Sequence, residues 1–588
     1  MGFNWQSPRR GFRKSTAVGD ISTAWTVRPT WRRVTAPKGR TVAVFGAGLA
    51  GLTAAHELAE RGFAVTVYER LGTAGGQCRS VYSDQALPGE HGFRSFVDRH
   101  RGLADTLRRI PFRGNRNGVH DNLVRLEAAT IAGVGRGNPA VPLPVPVPSG
   151  QIPMTPRHFA DSFASVFGTL FRLPPHEALF AAERLAVYVS SCEERRLGQW
   201  ERMSWTDFAG LDNASAEYRR FLGDGFLRAP ASTISRDCSA HAMGLVGEEY
   251  LWSLSNLADG GAIRVLDGPT SETFIDPWVT HLRSLGVTFA FGARLSGFET
   301  DGAHLRGATV IDHTGAGHRV EADYYLCAIP PDKAAAVFSD ELLAIDPRLA
   351  NVSRLRSAAM VGIQFFLRRR TDLARGPVTY LDSPWGLTSI SQAQFWRTPV
   401  GRYGDGGAAD VLSAIIADWT APGMVNRKSA AQCSPAEIAA ETWAQLTAHL
   451  DGIGGEPLTD DLLHSWMIDP ALRDPGTPDV AHDGTGFVPT PGSWADRPDA
   501  TTAVDNLFLA GDWIRTQRNV ACMDGANEGG RRAANAVLHA GGSAASRVPI
   551  TPRFRMPLWE PLELADSALY HAGRPHAFDL IDRRYPVR

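Results

Sequence analysis

The feature that most constrains the fold is a glycine-rich turn between two apolar segments near the start of the chain. Val42–Phe45 is a continuous apolar run, as a buried parallel strand requires, and Gly46-Ala47-Gly48-Leu49-Ala50-Gly51 follows at once. Residues Leu49–Arg61 have the periodicity of a helix, and Ala64–Tyr68 form a second apolar run. This order of strand, turn, helix and strand predicts a Rossmann-like α/β domain.

The glycine turn predicts a dinucleotide site. Gly46 allows the tight turn, Gly48 lets the backbone approach a pyrophosphate, and Gly51 lets the helix pack closely on the strand. The free N–H groups of the helix N-terminus, which includes Leu49 and Ala50, attract the phosphates. Glu69 ends the second strand 18 residues after Gly51, where a carboxylate accepts hydrogen bonds from ribose hydroxyls.

A second glycine loop indicates which dinucleotide binds. Glu69-Arg70 is followed by Gly75-Gly76-Gln77 and then by Arg79. This spacing resembles the extended fingerprint of flavoproteins with two dinucleotide-binding domains, which bind FAD rather than NAD. The second loop would bring its backbone close to the diphosphate, and an arginine there would neutralise it.

The C-terminal part of the chain carries a matching signature. The pattern of Asn506–Asp512 predicts a strand that ends in the pair Gly511-Asp512. Met523-Asp524-Gly525-Ala526 predicts the start of a helix. This resembles the C-terminal flavin motif of the amine oxidase and phytoene desaturase superfamily. The resemblance implies that Asp512 binds the ribityl or diphosphate region, and that the helix N-terminus points at flavin N1 and C2=O. It also implies a central returning strand at Ala322–Leu326 and a backbone contact of Leu295 to the adenine.

Further blocks narrow the resemblance to a bacterial FAD-dependent branch, described as desaturase-like or hydroxysqualene-dehydroxylase-like. The similarity runs over roughly residues 41–545. The blocks are Gly89–Phe96, Ser191–Leu197, Asp382–Trp385 and Gly492–Pro498.

The flavin motifs lie in three separated pieces, which predicts a discontinuous FAD-binding domain and a substrate domain built from the excursions between them, as in amine oxidases. The FAD domain is expected at 41–105, 246–335 and 498–545, and an α+β substrate domain at 106–245 and 336–497. The first excursion is mostly helical in pattern and the second has short strands. A basic arm, 1–40, and a proline-rich tail, 546–588, complete the division.

Four residues are predicted to act at the substrate site. In the superfamily the segment corresponding to Glu90–Phe96 runs beside the isoalloxazine, so His91 and Arg94 are candidate catalytic residues, with Gly92 and Phe93 as neighbours of the cofactor. Trp466 and Trp494 are candidates for the substrate wall. The alternatives are a structural histidine for His91, an ion pair with Glu90 for Arg94, and core packing for the tryptophans.

Two missing residue types bear on the reaction. Flavin amine oxidases commonly carry a lysine in the strand that corresponds to Met360–Phe365, and an aromatic-cage tyrosine before the C-terminal motif. This chain has no lysine there and no tyrosine between Trp466 and Asp512. We therefore expect a dehydrogenase or desaturase that passes a hydride to flavin N5 from a largely apolar isoprenoid, lipid-like or secondary-metabolite substrate. An isomerase or dehydroxylase without net oxidation, an amine oxidase, and a flavin-binding scaffold remain alternatives.

Charge and composition limit the partners. The chain has 61 basic and 62 acidic residues, so no global basic field for nucleic acid exists. The expected partners are a small apolar substrate and an electron acceptor that is oxygen, a quinone or another carrier. Six cysteines without CxxC or Cys/His spacing predict neither disulfides nor a metal site, which is typical of a cytoplasmic protein.

The first 40 residues carry seven arginines and two lysines against one acid, Asp20. Arg9-Arg10-Gly11-Phe12-Arg13-Lys14 resembles a twin-arginine export signal, but Ser15–Thr26 lacks the apolar run that such a signal needs. A solvated basic arm is the favoured interpretation. No stretch of 18 apolar residues occurs, so at most a peripheral contact with a membrane is expected.

Overall fold

A computed structural model gives the fold. It describes residues 40–97, 101–135, 140–142, 164–165, 168, 173–220, 223, 235–255, 263–371, 373–451 and 457–579. Residues 1–39 of the basic arm and most of the proline-rich segment before residue 156 lie outside the described residues. None of the helices in the described part is both long and apolar enough to cross a membrane.

The described residues form twenty-four strands and fourteen α-helices, with 3-10 segments and a π-helical segment, Ser271–Ile275, between them. The strands are β1 Thr41–Phe45, β2 Ala64–Glu69, β3 Ser80–Tyr82, β4 Pro88–Glu90, β5 Phe96–Val97, β6 Leu123–Arg125, β7 Ala128–Ala132, β8 Ala140–Pro142, β9 Ile263–Leu266, β10 Thr288–Phe291, β11 Arg294–Asp301, β12 His304–Ile311, β13 Gly317–Val320, β14 Tyr324–Cys327, β15 Ser357–Ala358, β16 Val361–Leu367, β17 Val378–Tyr380, β18 Thr388–Ser391, β19 Asp410–Ile416, β20 Leu463–Ile468, β21 Leu472–Arg473, β22 Ala481–His482, β23 Gly486–Phe487 and β24 Leu507–Leu509. The helices are α1 Leu49–Ala59, α2 Arg101–Arg109, α3 Pro175–Val189, α4 Glu193–Gly198, α5 Trp205–Phe208, α6 Ala216–Tyr218, α7 Ala240–Ser255, α8 Asp276–Ser284, α9 Pro331–Ala335, α10 Asp340–Ile345, α11 Pro435–Leu450, α12 Ser493–Asp496, α13 Met523–Ala540 and α14 Glu560–His571.

A parallel five-stranded sheet in the order β10-β2-β1-β14-β24 forms the first layer. Its strands come from distant parts of the chain: Ala43 pairs with Thr66 on one side and Tyr325 on the other, and Tyr325 pairs with Leu507. Strands β1, β14 and β24 are almost wholly buried, as in sheets covered on both faces, whereas the edge strand β10 has one buried residue, Ala290. The mixed α/β fold with a Rossmann-like sheet, predicted from the sequence, is therefore confirmed.

Helices α1 and α13 pack against each other beside this sheet. A Cβ on Gly530 would lie 2.4 Å from the carbonyl oxygen of Ala50, so α13 approaches α1 at backbone distance. The amide of Asn527 in α13 donates to the hydroxyl of Thr53 in α1 and to that of Thr106 in α2, at 3.0 Å each. The N-termini of α1 and α13 consequently lie in one layer beside the sheet.

The second layer is a seven-stranded sheet in the order β20-β16-β19-β18-β17-β7-β8. Strand β7, from the first predicted excursion, pairs in parallel with β17 from the second, and Thr130 faces Val378 across the join. Helix α11 packs on the far side of this sheet, where Trp443 contacts Phe365. The two excursions therefore meet in one sheet.

A helical unit that includes α3 and α7 completes the molecule, as the pattern of the first excursion predicts. Val187 and Tyr188 in α3 pack with Met243 and Val246 in α7. Helix α7 spans Ala240–Ser255 and therefore runs across the position between residues 245 and 246 where we placed a domain boundary.

The proline-rich C-terminal tail contains one helix, α14, among its described residues, 546–579. Helix α14 packs on α4, and its buried Asp566 accepts hydrogen bonds from Arg195 Nε at 2.8 Å and from the backbone N–H of Cys192 at 2.9 Å. The charged Ser191–Leu197 run forms ion pairs through Arg195 and Arg196, and both arginines are buried.

Candidate cofactor and substrate site

One continuous cavity of about 950 Å³ lies at the carboxyl ends of the parallel strands, where α/β sheets place their ligands. It begins at the glycine turn after β1 and reaches the second sheet. Eighteen of the residues that the sequence assigns to the cofactor line it: Gly46, Gly48, Leu49, Ala50, Glu69, Arg70, Gly75, Gly76, Gln77, Arg79, Phe93, Arg94, Leu295, Gly511, Asp512, Met523, Asp524 and Ala526.

The three glycines of the first turn have different surroundings. Gly46 has a φ of +103°, and a Cβ on Gly51 would lie 1.9 Å from the Gly46 carbonyl oxygen, so neither position admits a side chain. A Cβ on Gly48 would instead meet nothing within 4 Å. Gly48 therefore faces open space at the N-terminus of α1, as a pyrophosphate-binding turn requires.

Glu69 ends β2 at the opposite side of this turn. Its buried carboxylate accepts hydrogen bonds from the N–H of Ala47 at 2.8 Å and from the N–H of Leu71 at 2.9 Å. These two bonds orient the carboxylate, and each oxygen keeps a lone pair for a further donor. The arrangement fits a ribose diol at this place.

The second glycine loop lies against the first. The N–H of Gly75 donates to the carbonyl of Ala47 at 2.8 Å, and a Cβ on Gly76 would lie 3.1 Å from the Cα of Gly48. Arg79 turns back on the same loop and donates to the carbonyl of Gly76 at 2.6 Å. The backbones of the two glycine loops thus border the same part of the cavity, and Arg79 lies beside it.

Gln77 joins this cofactor loop to the wall of the substrate region. Its Nε2 donates to the carbonyl oxygens of Gly484 at 2.9 Å and of Thr485 at 2.8 Å. Both residues line the cavity. The sequence assigns Gln77 to the cofactor, and the structure gives it this second role.

The C-terminal motif forms the other end of the cavity. Gly511 has a φ of +152°, and a Cβ there would lie 2.4 Å from Trp513 Nε1. The thiol of Cys522 caps α13 by accepting a hydrogen bond from Gly525 N at 3.2 Å, and burial raises its pKa to about 12. Burial also raises the pKa of Asp512 to about 6, against the opposing effect of nearby Arg497.

Arg497 supports the whole C-terminal loop from behind. Its buried guanidinium donates to the carbonyls of Asp512 and Trp513 at 2.8 and 3.0 Å, and also bonds to Ile514 O and Asn519 Oδ1. Burial lowers the pKa of Arg497 to about 10, which leaves it charged at neutral pH. The sequence contained this residue only within the Gly492–Pro498 block, without a role.

Beyond the cofactor loops the cavity wall becomes largely apolar. The wall is formed by α7, β7, β8 and the facing strands of the second sheet. Arg518 and Glu249, which form an ion pair, also line it. Its apolar members include Phe93, Leu126, Ile131, Val141, Leu245, Val246, Ile263, Met360, Leu381, Ile415, Phe487 and Val488. Three threonines, Thr130, Thr379 and Thr388, are interspersed.

Two of the four predicted catalytic residues, His91 and Arg94, lie in this wall. The guanidinium of Arg94 donates to the carbonyl of Gln77, and its buried Nε has no hydrogen-bond partner among the described residues. The carboxyl of Glu90 bonds instead to Thr270 N at 2.7 Å and to Ser80 Oγ at 3.2 Å. Arg94 therefore lines the cavity where cofactor loop and wall meet, and it keeps one buried N–H unpaired among the described residues.

The two predicted tryptophans do not line the cavity among the described residues, which corrects their assignment. Trp466 lies on the edge strand β20, pairs with Phe365 and packs on the core beneath the second sheet. Trp494 stacks on the guanidinium of Arg497 at 5.1 Å. Gly92 is also not among the lining residues, and a Cβ there would lie 2.9 Å from Ile415 Cδ1.

Sequence reasoning missed the partners of His91. Asp469 follows β20 and His482 ends β22, and both are buried against the His91 ring. No spacing signal could have found them, since Asp469 and His91 are 378 residues apart.

Comparison with known proteins gives a family and a set of relatives. The family model described as flavin containing amine oxidoreductase matches residues 49–538. A 15-cis-phytoene desaturase of Synechococcus elongatus is 21% identical over 508 residues, covering 84% of this chain and 95% of that protein. A hydroxysqualene dehydroxylase of Rhodopseudomonas palustris is 24% identical over 513 residues, covering 85% and 99%.

Solved structures resemble the fold. A putrescine oxidase bound to putrescine superposes with a TM-score of 0.56 at 15% identity, over 85% of this chain and 99% of the other. A cyclohexylamine oxidase from Brevibacterium oxydans gives 0.55 at 14% identity, with the same coverage.

Proposed function

The chain belongs to the family of flavin-containing amine oxidoreductases and is an FAD-dependent oxidoreductase; from this premise we propose that it dehydrogenates a largely apolar isoprenoid, lipid-like or secondary-metabolite substrate. The observation that carries the proposal is the continuity of the cavity. Its cofactor end runs without a break into a wall of apolar side chains.

The chain's own residues fit FAD. Glu69 is oriented for the adenosine ribose, and Gly48 and the N-terminus of α1 leave space for the pyrophosphate. Arg79 and the Gly75-Gly76 loop face the same space, and Asp512 with the N-terminus of α13 would hold the other end. When bound, the flavin supplies an acceptor for two electrons and a hydrogen from a substrate carbon.

An apolar substrate is favoured because an apolar wall binds a ligand mainly by burying the ligand's apolar surface. Each CH₂ group that the wall removes from water contributes about 0.8 kcal/mol, so a chain of isoprene units gains affinity along its length. The few polar groups, such as Arg94 and the three threonines, would fix orientation. The named substrates of the two relatives, phytoene and hydroxysqualene, are consistent with this choice.

An isomerase or dehydroxylase without net oxidation is the second candidate. It is favoured by the hydroxysqualene dehydroxylases of Rhodopseudomonas palustris and Sinorhizobium fredii, 24% and 25% identical over 85% of this chain. An amine oxidase ranks below both, because no lysine occurs at Met360–Phe365 and the wall lacks a tyrosine among the described residues beyond the cofactor loops. The amine oxidase structures share the fold at low identity.

The decisive experiment is anaerobic mixing of the FAD-loaded enzyme with two groups of compounds. We expect phytoene or squalene, delivered in detergent micelles, to bleach the flavin, and putrescine and cyclohexylamine to leave it oxidised. Conversion of hydroxysqualene without bleaching would favour the second candidate. Bleaching by the amines alone would overturn the proposal.

A pair of variants on β7 ties the result to the cavity. Ala129 lines the cavity, whereas its neighbour Ala128 is equally half-buried but does not. Ala129→Phe should slow flavin reduction by the isoprenoid at least tenfold through loss of space, and Ala128→Phe should not. Equal effects of the two substitutions would place the substrate elsewhere.

A further inference from the structure

Three buried side chains form a hydrogen-bonded chain that ends at the cavity. Asp469 Oδ2 accepts from His91 Nδ1 and from His482 Nε2, the latter at 3.2 Å. The other oxygen, Oδ1, accepts from the N–H of Ala471 at 2.9 Å. Of the three, only His91 lines the cavity, so the chain has one open end.

The backbone around His482 fixes its tautomer. The N–H of Gly484 donates to His482 Nδ1 at 3.1 Å, so this nitrogen carries no proton and the proton of the neutral ring lies on Nε2, pointing at Asp469. His482 therefore acts as a permanent donor to the carboxylate. Together with Ala471 it holds Asp469 in place as an anion.

The same geometry argues against a metal ion at this cluster. A ring nitrogen that bears a proton cannot be a ligand, which removes His482. In addition, His91 Nδ1 and Asp469 Oδ2 are in direct hydrogen-bond contact, closer than the roughly 3.3 Å that separates two ligands of one tetrahedral zinc. The cluster is a proton-bearing network.

We propose that His91 is the proton acceptor of the reaction, and that Asp469 and His482 are positioning residues that keep its Nδ1 protonated and its Nε2 free towards the substrate. This inference deepens the proposed function and rests on it. The carboxylate fixes the ring and stabilises the imidazolium that forms, while the buried histidine behind it fixes the carboxylate.

The step balances as a dehydrogenation. Bound FAD would be the oxidant, and one substrate carbon would give up its hydrogen with both bonding electrons to it. The atom next to it loses a proton to His91 Nε2, and the electron pair of that second bond becomes the new π bond. The positive charge on His91 is balanced by Asp469, and the proton later leaves from Nε2.

The charged surroundings of His91 set its proton affinity. Burial lowers the pKa of His91, and the nearby Arg94 and His482 act in the same direction, while Asp469 opposes them. Arg79 is a further cation that interacts electrostatically with Asp469. The neutral ring that a proton acceptor needs is therefore the form present at neutral pH.

The first test uses diethylpyrocarbonate as a probe, because it acylates a neutral imidazole at an accessible nitrogen. In the holoenzyme, peptide mass spectrometry should find His91 modified along with the exposed His313, and His482 and His449 unmodified. His449 is the matched control, since it also pairs with a carboxylate, Asp382 at 2.9 Å, but does not line the cavity. An unmodified His91 beside a modified His313 would overturn the proposal.

The second test follows the dependence of this acylation on pH. The midpoint for His91 should lie below the ordinary value of 6.5, and Asp469→Asn should move it lower still, because loss of the carboxylate removes what favours the imidazolium. If this variant does not fold, ¹⁵N NMR of the histidine-labelled native enzyme decides. A proton on Nε2 of His91, with Nδ1 bare, contradicts the inference.

The third test separates a proton acceptor from a structural histidine. His91→Asn keeps a donor for Asp469 and lacks Nε2, so FAD content should stay normal while flavin reduction by the active isoprenoid slows about 10²–10⁴-fold. Unchanged reduction in this variant would overturn the inference and leave the proposed function intact. Conversely, a reactive His91 in an enzyme that no isoprenoid reduces would count against the substrate class alone.

Discussion

The guanidinium of Arg497 donates a hydrogen bond of 2.8 Å to the main-chain carbonyl of Asp512. A buried cation thereby holds the loop whose Asp512 lines the cavity. Because further bonds of Arg497 reach Trp513, Ile514 and Asn519, one side chain sets the shape of the entire turn.

Replacement of Arg497 should therefore cost both stability and cofactor. In Arg497→Met several buried carbonyls lose their donor, and each unpaired group costs about 1–3 kcal/mol. We expect the free energy of unfolding to fall by more than about 2 kcal/mol and the FAD content to fall with it, measured by denaturant unfolding and flavin absorbance. Arg515→Met is the control on the same loop, and a comparable loss there would show that Arg497 has no special role.

Asp512 should make the stability of the cofactor-free protein depend on pH. Its folded pKa of about 6 is above its ordinary value, so between pH 4 and 6 the folded protein binds more protons than the unfolded chain, and stability falls as pH rises. Asp512→Asn removes this penalty. Thermal unfolding should show the variant gaining roughly 1–3 kcal/mol on the native protein between pH 4 and 7. The exposed Asp505→Asn should show no such gain.

Glu69 should determine FAD affinity. Its carboxylate is oriented by Ala47 and Leu71, and loss of a hydrogen bond to a charged group costs about 1.5–3 kcal/mol. Calorimetric titration of apoprotein with FAD should give an affinity about 10- to 150-fold weaker for Glu69→Ala. Glu299→Ala, on a strand of the outer three-stranded sheet, should bind as the native protein does. Equal affinities for all three proteins would contradict the ribose assignment.

The flavin should be bound without a covalent bond. Cys522 is the thiol at the start of α13, but burial raises its pKa to about 12 and its sulfur already caps the helix, so little thiolate exists to attack a flavin. Acid precipitation should release the yellow colour into the supernatant, for the native protein and for Cys522→Ser alike. Colour retained in the native pellet and released from the variant would reverse this conclusion.

Two glycines of one motif should respond differently to alanine. A methyl group on Gly51 would overlap the Gly46 carbonyl, whereas one on Gly48 meets open space at an ordinary φ of −74°. Gly51→Ala should destabilise the apoprotein by about 1–3 kcal/mol. Gly48→Ala should unfold as the native apoprotein does and yet bind FAD more weakly. If both variants lose stability equally, the space beside Gly48 is not a ligand site.

The parts of the site that the sequence predicted are those built from neighbours in the chain. A turn such as Gly46–Gly51 dictates its own geometry, because steric limits at each glycine act within a few residues. The N-terminus of α13 at Met523 was predictable for the same reason. Such motifs report the cofactor and leave the substrate open.

The parts that were missed depend on contacts between distant segments. His91, Asp469 and His482 meet only because β4, β20 and β22 converge, and each residue alone is unremarkable in its segment. Tryptophan occurs both in cores and in cavity walls, so the sequence could not show whether Trp494 packs inside the protein or contacts a substrate. The extent of α7 was not predicted because its apolar sequence gives no sign of where the helix begins or ends.

The strand order has a consequence for how the protein is made. Strand β14 lies between β1 and β24, and α13 closes the cavity. During synthesis β1 is therefore made well before the strand and the helix that complete its sheet and its site. At about 5–20 residues per second this delay lasts roughly half a minute or more. The cavity is complete only after α13 has been made, because residues from Phe45 to Ala526 line it. The amount of stable protein then depends on the supply of FAD, because chains without FAD lack the stabilisation that a ligand confers on the folded state.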